Sequence, residues 1–177
     1  MKFAAVTSKS KDGKEILLRA AVPNDASQLF ALKLSYIKGS STIPMYEDEY
    51  KNDEAQEAEM VQRYSDENNS LLIVAEHDGN LIGNLDLTGS PRRKLSHTGM
   101  IGMGISNKWQ DKGIGHLLLS SALEWAKKAS PLTIVWLEVY STNAAGRTLY
   151  RKNGFNDCGI IANFFGEADK ITMVKHL

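Results

Sequence analysis

The sequence predicts an α/β domain, and three observations carry that prediction. A strand-like segment over residues 97–106 leads into the glycine loop Gln110-Asp111-Lys112-Gly113-Ile114-Gly115, which opens a helix. In that helix Ile114, Leu118, Ala122, Trp125 and Ala129 recur on one face, with Glu124, Lys127 and Lys128 elsewhere. A β-rich run over residues 132–140 follows Pro131, and a second helix comes next, with Asn143 placed to cap its start and Gly154 its end.

The remaining elements follow from local signals. Lys11-Asp12-Gly13-Lys14 is a turn between strands at 3–8 and 15–20. Pro23-Asn24-Asp25 opens a helix carrying Ala26, Leu29, Phe30, Leu32, Lys33 and Tyr36, and residues 39–44 break it. Residues 54–64 predict a polar, exposed helix. Residues 71–77 and 81–88 predict a hairpin around Asp78-Gly79-Asn80, and Pro91-Arg92-Arg93-Lys94 a charged turn. Two final strands are expected at 158–165 and 170–176, around Gly166-Glu167-Ala168-Asp169. No repeat, linker or break in composition divides the chain, so residues 1–177 are expected to form one domain, with residues 97–155 as its ligand-binding core.

Composition narrows the class. The 177 residues carry a formal net charge of zero, which gives no bulk attraction to nucleic acid. Cys158 is the lone cysteine, so neither an intramolecular disulfide nor a cysteine metal cluster is expected. The N-terminus lacks a sustained apolar region, and no apolar run approaches the ~20 residues that span a bilayer. The expectation is a soluble cytoplasmic protein with no membrane partner.

The glycine loop carries the first chemical statement. Strand, loop and helix together present unpaired N–H groups at the positive end of a helix dipole, an anion site suited to pyrophosphate. A dinucleotide fingerprint needs a third glycine, and Gly113-Ile114-Gly115-His116-Leu117-Leu118 lacks it. A P-loop fails as well, because no Gly-Lys-Ser/Thr stands at the required spacing. Two glycines at a helix start are also compatible with a simple tight turn.

The downstream segment Leu-Glu-Val-x-x-x-Asn-x-x-small-x-x-Leu-Tyr-x-Lys-x-Gly-Phe, from Leu137 to Phe155, extends the pattern. With Gln-x-x-Gly-x-Gly upstream, it closely resembles the GNAT superfamily of N-acetyltransferases over about residues 99–155, and the element order agrees. The resemblance implies a mixed, mostly antiparallel sheet flanked by helices, with two splayed strands holding acetyl-CoA as cosubstrate and no metal. It implies that backbone groups of Met103, Gly104 and Ile105 pair with the pantetheine amides. The N–H groups of Gln110, Asp111, Lys112, Gly113, Ile114 and Gly115 would hold the pyrophosphate, with Gly113 and Gly115 sparing the phosphate or the turn a Cβ. Asn143 matches the family asparagine near the cofactor arm, and it also serves as an N-cap. Two positions depart from the pattern: Asn107 stands where a proline is frequent, and Gly146 where alanine is usual, at a cost of ~1 kcal/mol to the helix.

Acetyl transfer to an amine needs a proton acceptor, because amines of pKa ~8 to ~10 are protonated at neutral pH, and an acid for a thiolate of pKa ~8.5. Tyr150 matches the family tyrosine that protonates the leaving sulfur, with helix–sheet packing as the plainer role. Glu138 resembles the base of the ribosomal-protein alanine acetyltransferases, with a structural or water-holding carboxylate as the plainer role. Cys158 is expected to be a packed strand residue, Trp109 a packing residue, and His77, His97, His116 and His176 make no ligand spacing. Residues 47–67 carry nine carboxylates against Lys51 and Arg63, a local charge of −7. That stretch is either a solvated helix face or an attraction for a cationic acceptor, with residues 42–50 as the acceptor lip. The resemblance thus implies direct transfer to a primary amine, on a small molecule or a peptide N-terminus, in a ternary complex. A non-catalytic CoA-binding sensor is the alternative, a dinucleotide oxidoreductase a third. Family habit adds a homodimer, through the C-terminal strands.

Overall fold

The computed structural model describes residues 3–177. In chain order the elements are β1 (Val6–Lys9), β2 (Glu15–Ala20), α1 (Ala26–Ile37), α2 (Glu54–Asp66), β3 (Leu71–His77), β4 (Asn80–Gly89), β5 (Thr98–Ile105), α3 (Ile114–Ala129), β6 (Ile134–Tyr140), α4 (Ala144–Lys152), β7 (Asn156–Phe165) and β8 (Ala168–His176). The expected order holds, with ends shifted by up to three residues at β1. All eight strands join one sheet, ordered β1-β2-β3-β4-β5-β6-β8-β7. Only β5 and β6 run parallel, because α3 carries the chain back across the sheet between them.

Strand alternation sorts two cores onto the two faces. Leu71, Ile73 and Ala75 of β3 with Leu85 and Leu87 of β4 pack under Ile114, Leu118, Leu119, Ala122 and Trp125 of α3. Leu72 and Val74 point the other way and meet Leu29 and Leu32 of α1 and Val61 of α2. The α2 helix is therefore not simply polar and exposed: Val61 is buried beneath it, and Glu57 is fully enclosed. Glu57 accepts from Lys33 Nζ of α1 at 2.9 Å and from Asn52 Nδ2 at 2.9 Å, and the Tyr50 hydroxyl also donates to it. This buried cluster fastens α1, α2 and the loop between them.

The last hairpin departs from one expectation. β7 is an edge strand whose residues are exposed along nearly its whole length, so Cys158 is a free, exposed thiol rather than a packed one. The reason is topological: β7 is the last strand of the sheet and pairs with β8 alone, while α4 reaches it through Arg147 and Arg151 on Asp157 near its start. No helix among the described residues is long and apolar enough to cross a membrane.

Candidate active site

The site begins where the sheet fails to close. β5 and β6 pair at three positions only, Thr98–Ile134, Gly99–Val135 and Met100–Trp136, and then diverge. Met103, Gly104 and Ile105 keep their β4 partners Leu85, Asn84 and Gly83 on one side and have no strand on the other. An extended, amide-bearing ligand fits such an edge as an added strand.

The glycine loop stands at the mouth of this gap. Asp111 (φ 60°) and Gly113 (φ 85°) turn the backbone into the left-handed region. The N–H groups of residues 111–115 have no acceptor among the described residues and start the 16-residue α3. Gln110 has a different task from the others: its side-chain amide donates to Ile105 O at 3.3 Å and Asn107 Oδ1 at 3.1 Å, tying the loop to the end of β5. Asn107 thus replaces the frequent proline with a tether. Gly115 spares room for side chains rather than for phosphate, since a Cβ there would lie 3.0 Å from Leu149 Cδ2 and 3.2 Å from Ile105 Cδ1.

Sequence reasoning missed what the β1–β2 turn does here. Lys11 N donates to Lys112 O at 2.9 Å, and Lys112 Nζ lies 3.2 Å from the Asp12 carboxylate. The aliphatic part of Lys11 crosses Gly113, 3.3 Å from where a Cβ would stand. Lys14 and Lys112 lie over the ring of Trp109, which packs edge-on against His77. The turn and the loop are separated by a hundred residues, so no local signal foretold this contact. Cationic side chains beside free N–H groups fit a diphosphate.

On α4, Asn143 Oδ1 accepts from Gly146 N at 2.9 Å, as an N-cap does. The bond leaves its NH2 group for a ligand. Gly146 has a reason of its own: a Cβ there would stand 2.9 Å from the Asn143 amide atoms. Ala145 is exposed, and Leu149 with Tyr150 faces inward. Tyr150 meets Phe155 edge to face at 5.9 Å between centroids. Burial first, then the charge of Asp86, pushes its hydroxyl up to about 12, so it holds its proton at neutral pH.

Asn84, Asp86 and Thr88 of β4, then Gly102 and Gly104 of β5, then Trp136, Glu138 and Tyr140 of β6 share the opposite face of the sheet, where the Tyr36 ring of α1 lies against Gly104 and the Asp86 carboxylate against Gly102. Glu138 accepts from Lys170 Nζ at 2.8 Å, and Lys170 lies 4.1 Å from the Phe164 ring centroid. Tyr140 stacks on Phe165 at 3.8 Å. Burial and then Tyr46 hold the Tyr140 hydroxyl above its ordinary range. Much of the acidic segment is already engaged: Asp53 caps α2, Glu49 accepts from Tyr46 N, and Glu57 pairs with Lys33.

Asp86 was not singled out from sequence. It stands in Leu85-Asp86-Leu87, where alternation alone reads as an ordinary solvent-facing position. The facing glycines at 102 and 104 are the signal that could have found it. Burial raises its carboxyl above the ordinary range, against the pull of Lys33 and of the N–H groups of Asp86 and Gly102.

The acetyltransferase (GNAT) family matches residues 40–155, and the chain belongs to it. It is 26% identical over 94 residues to the L-amino acid N-acetyltransferase AaaT of Escherichia coli (strain K12), covering 53% of this chain and 58% of that one. It is 31% identical over 75 residues to the [Ribosomal protein bS18]-alanine N-acetyltransferase of the same organism, covering 42% of this chain and 50% of that one. The chain thus spans little more than half the length of these relatives. A GNAT-family acetyltransferase structure from Streptococcus pneumoniae superposes with TM-score 0.87 at 25% identity, covering 92% of this chain and 99% of that one.

Proposed function

We propose that this protein is an N-acetyltransferase that moves an acetyl group from acetyl-CoA directly to a primary amine. The observation that carries the reading is the divergence of β5 from β6 after three rungs, which leaves the edge at 103–105 open, together with the unpaired N–H groups of residues 111–115 at the start of α3. Acetyl-CoA, when bound, supplies an acyl carbon and a thiolate leaving group. Residues 111–115 with Lys11 hold its diphosphate, the 103–105 edge and Asn143 orient its amide arm, and Tyr150 delivers a proton to sulfur. Gly113→Ala is expected to lower folding stability by about 1–2 kcal/mol, because φ is already left-handed there in the free protein and strains a residue with a Cβ. Denaturant unfolding checks it.

The names of the two Escherichia coli relatives support an acceptor that is a free amino acid or a protein N-terminus. Glu138 is taken up by Lys170, which supports a water-holding or structural role over that of base. Glu138→Gln is accordingly expected to keep the parent's dependence of kcat/KM on pH; a shift of the profile to higher pH would make it the base. Exposed Ile160, Ile161 and Phe164 on the unpaired edge of β7 support a homodimer through this strand, and acetyl-CoA as donor supports a cytoplasmic location.

Release of free CoA thiol, measured across polyamines, amino acids, aminoglycosides and peptides with free N-termini, tests the reading. Turnover with one class names the acceptor. Tight acetyl-CoA binding with no turnover on any of them favours a CoA-binding module on the same fold.

A further inference from the structure

We propose that the backbone N–H of Lys11 sets the direction of the Gly113 N–H and so positions the cosubstrate's diphosphate from the β1–β2 turn. The inference rests on reading the protein as an acetyl-CoA-dependent transferase. Lys11 N donates to Lys112 O at 2.9 Å. That oxygen belongs to the same peptide unit as the Gly113 nitrogen, and the unit is trans. A trans peptide is planar, with its C=O and N–H pointing in opposite directions. Holding the oxygen toward the turn therefore turns the Gly113 N–H away from it and leaves it as a free donor. Acceptance at the oxygen also polarises the unit, which makes that N–H a stronger donor.

The loop needs such a tether. Asp111 and Gly113 are both left-handed, and a glycine offers little resistance to a flip of the peptide before it. A flipped unit would present its carbonyl oxygen, which repels phosphate, where the N–H had been. Gln110 fixes only the β5 end of the loop, through Ile105 O and Asn107 Oδ1. The Lys112 end is fixed from the turn: Lys112 Nζ lies 3.2 Å from Asp12, and Lys14 and Lys112 both lie over the Trp109 ring. The turn is itself firm. Ser10 N donates to Lys14 O at 2.9 Å, Lys14 N to Ser10 Oγ at 3.0 Å, and Ser10 Oγ to Asp12 Oδ1 at 2.5 Å.

The same turn allows the N–H to be removed by itself. Gly13 N donates to Ser10 O at 2.9 Å, which puts Lys11 and Asp12 at the two central positions, and neither has a positive φ. That is a type I turn, whose first central position favours proline. Lys11→Pro therefore removes the N–H and spares the turn. Lys11→Ala keeps the N–H and removes the side chain that crosses Gly113. Calorimetric titration of CoA is expected to give Lys11→Pro a Kd about 3- to 10-fold above that of Lys11→Ala, the loss that one hydrogen bond predicts. With S-acetylpantetheine as donor, which carries no diphosphate, the two variants should have equal kcat/KM. Equal CoA affinities, or the same difference with S-acetylpantetheine, would overturn the role of the N–H.

Hydrogen exchange in the parent protein gives the answer even where Lys11→Pro fails to fold. Coupling between two binding events is reciprocal, so an anion on the Gly113 N–H must strengthen the bond that orients it. CoA is expected to slow exchange at the Lys11 N–H more than at the Gly13 N–H, whose acceptor lies within the turn. Equal slowing of the two amides would overturn the proposal while leaving the transferase reading in place. A parent chain that binds no CoA would instead overturn that reading, and the role of Lys11 with it.

Discussion

Tyr150→Phe is expected to lower kcat by about 10²- to 10⁴-fold while leaving the Kd for acetyl-CoA within a few-fold of the parent. The phenyl ring keeps the edge-to-face contact with Phe155 and the packing against the α3 core, so only the hydroxyl is lost. That hydroxyl is pushed up to about 12 by burial and by Asp86, which makes it a neutral donor at neutral pH. Without it the thiolate leaves unprotonated. The effect should shrink for acetyl donors whose thiols are more acidic, because their thiolates need less help. Stopped-flow release of thiol against a direct binding titration separates the two quantities. A parent-like kcat would remove Tyr150 from the chemistry.

Lys33→Ala is expected to be the most damaging change away from the gap. It would leave Glu57, fully enclosed beneath α2, as a buried charge without its cation. Breaking such a pair from one side costs about 3–5 kcal/mol, and a chain of this size loses about 2–4 °C of Tm per kcal/mol. A fall of roughly 6–20 °C by thermal melting is therefore expected. Lys33→Met combined with Glu57→Leu should recover part of it, since no buried charge is left unpaired, although the Tyr50 hydroxyl and the Asn52 amide lose their acceptor. A double variant as unstable as the single one would show that packing volume, not charge, fails.

What could be read in the sequence was local. The loop at 110–115, the cap at Asn143 and the Leu149-Tyr150 pair each lie within a dozen residues, and their spacing fixes which face they occupy. Asn143 was found as a cap because a cap needs only the three residues after it. Contacts across the sheet carried no such signal. Lys33 and Glu57 are 24 residues apart, and a lysine on an apolar helix face looks like any snorkelling side chain. The docking of Lys11 on the glycine loop depends on where an N-terminal hairpin falls in the strand order. Cys158 was expected to be packed because no neighbouring histidine or metal pattern gave it a chemical role, but an edge strand buries little. Asp86 was hidden by the same logic in reverse: alternation assigned it to water, and only its glycine neighbours one strand away show the enclosure.

The three-rung seam between β5 and β6 has a consequence for the life of the unliganded chain. Most sheets confine their unsatisfied backbone to two outer margins, but this one carries two more in its middle, along residues 103–105 and the end of β6. Such margins recruit extended peptide from other chains as readily as any outer one, and natural proteins blunt theirs with charge, proline or cover. On the proposed function the cosubstrate would do the blunting, its amides lying along the edge while it is bound. Solubility and resistance to self-association would then be properties of the loaded protein, and the supply of CoA in its surroundings would set how much of the chain is protected.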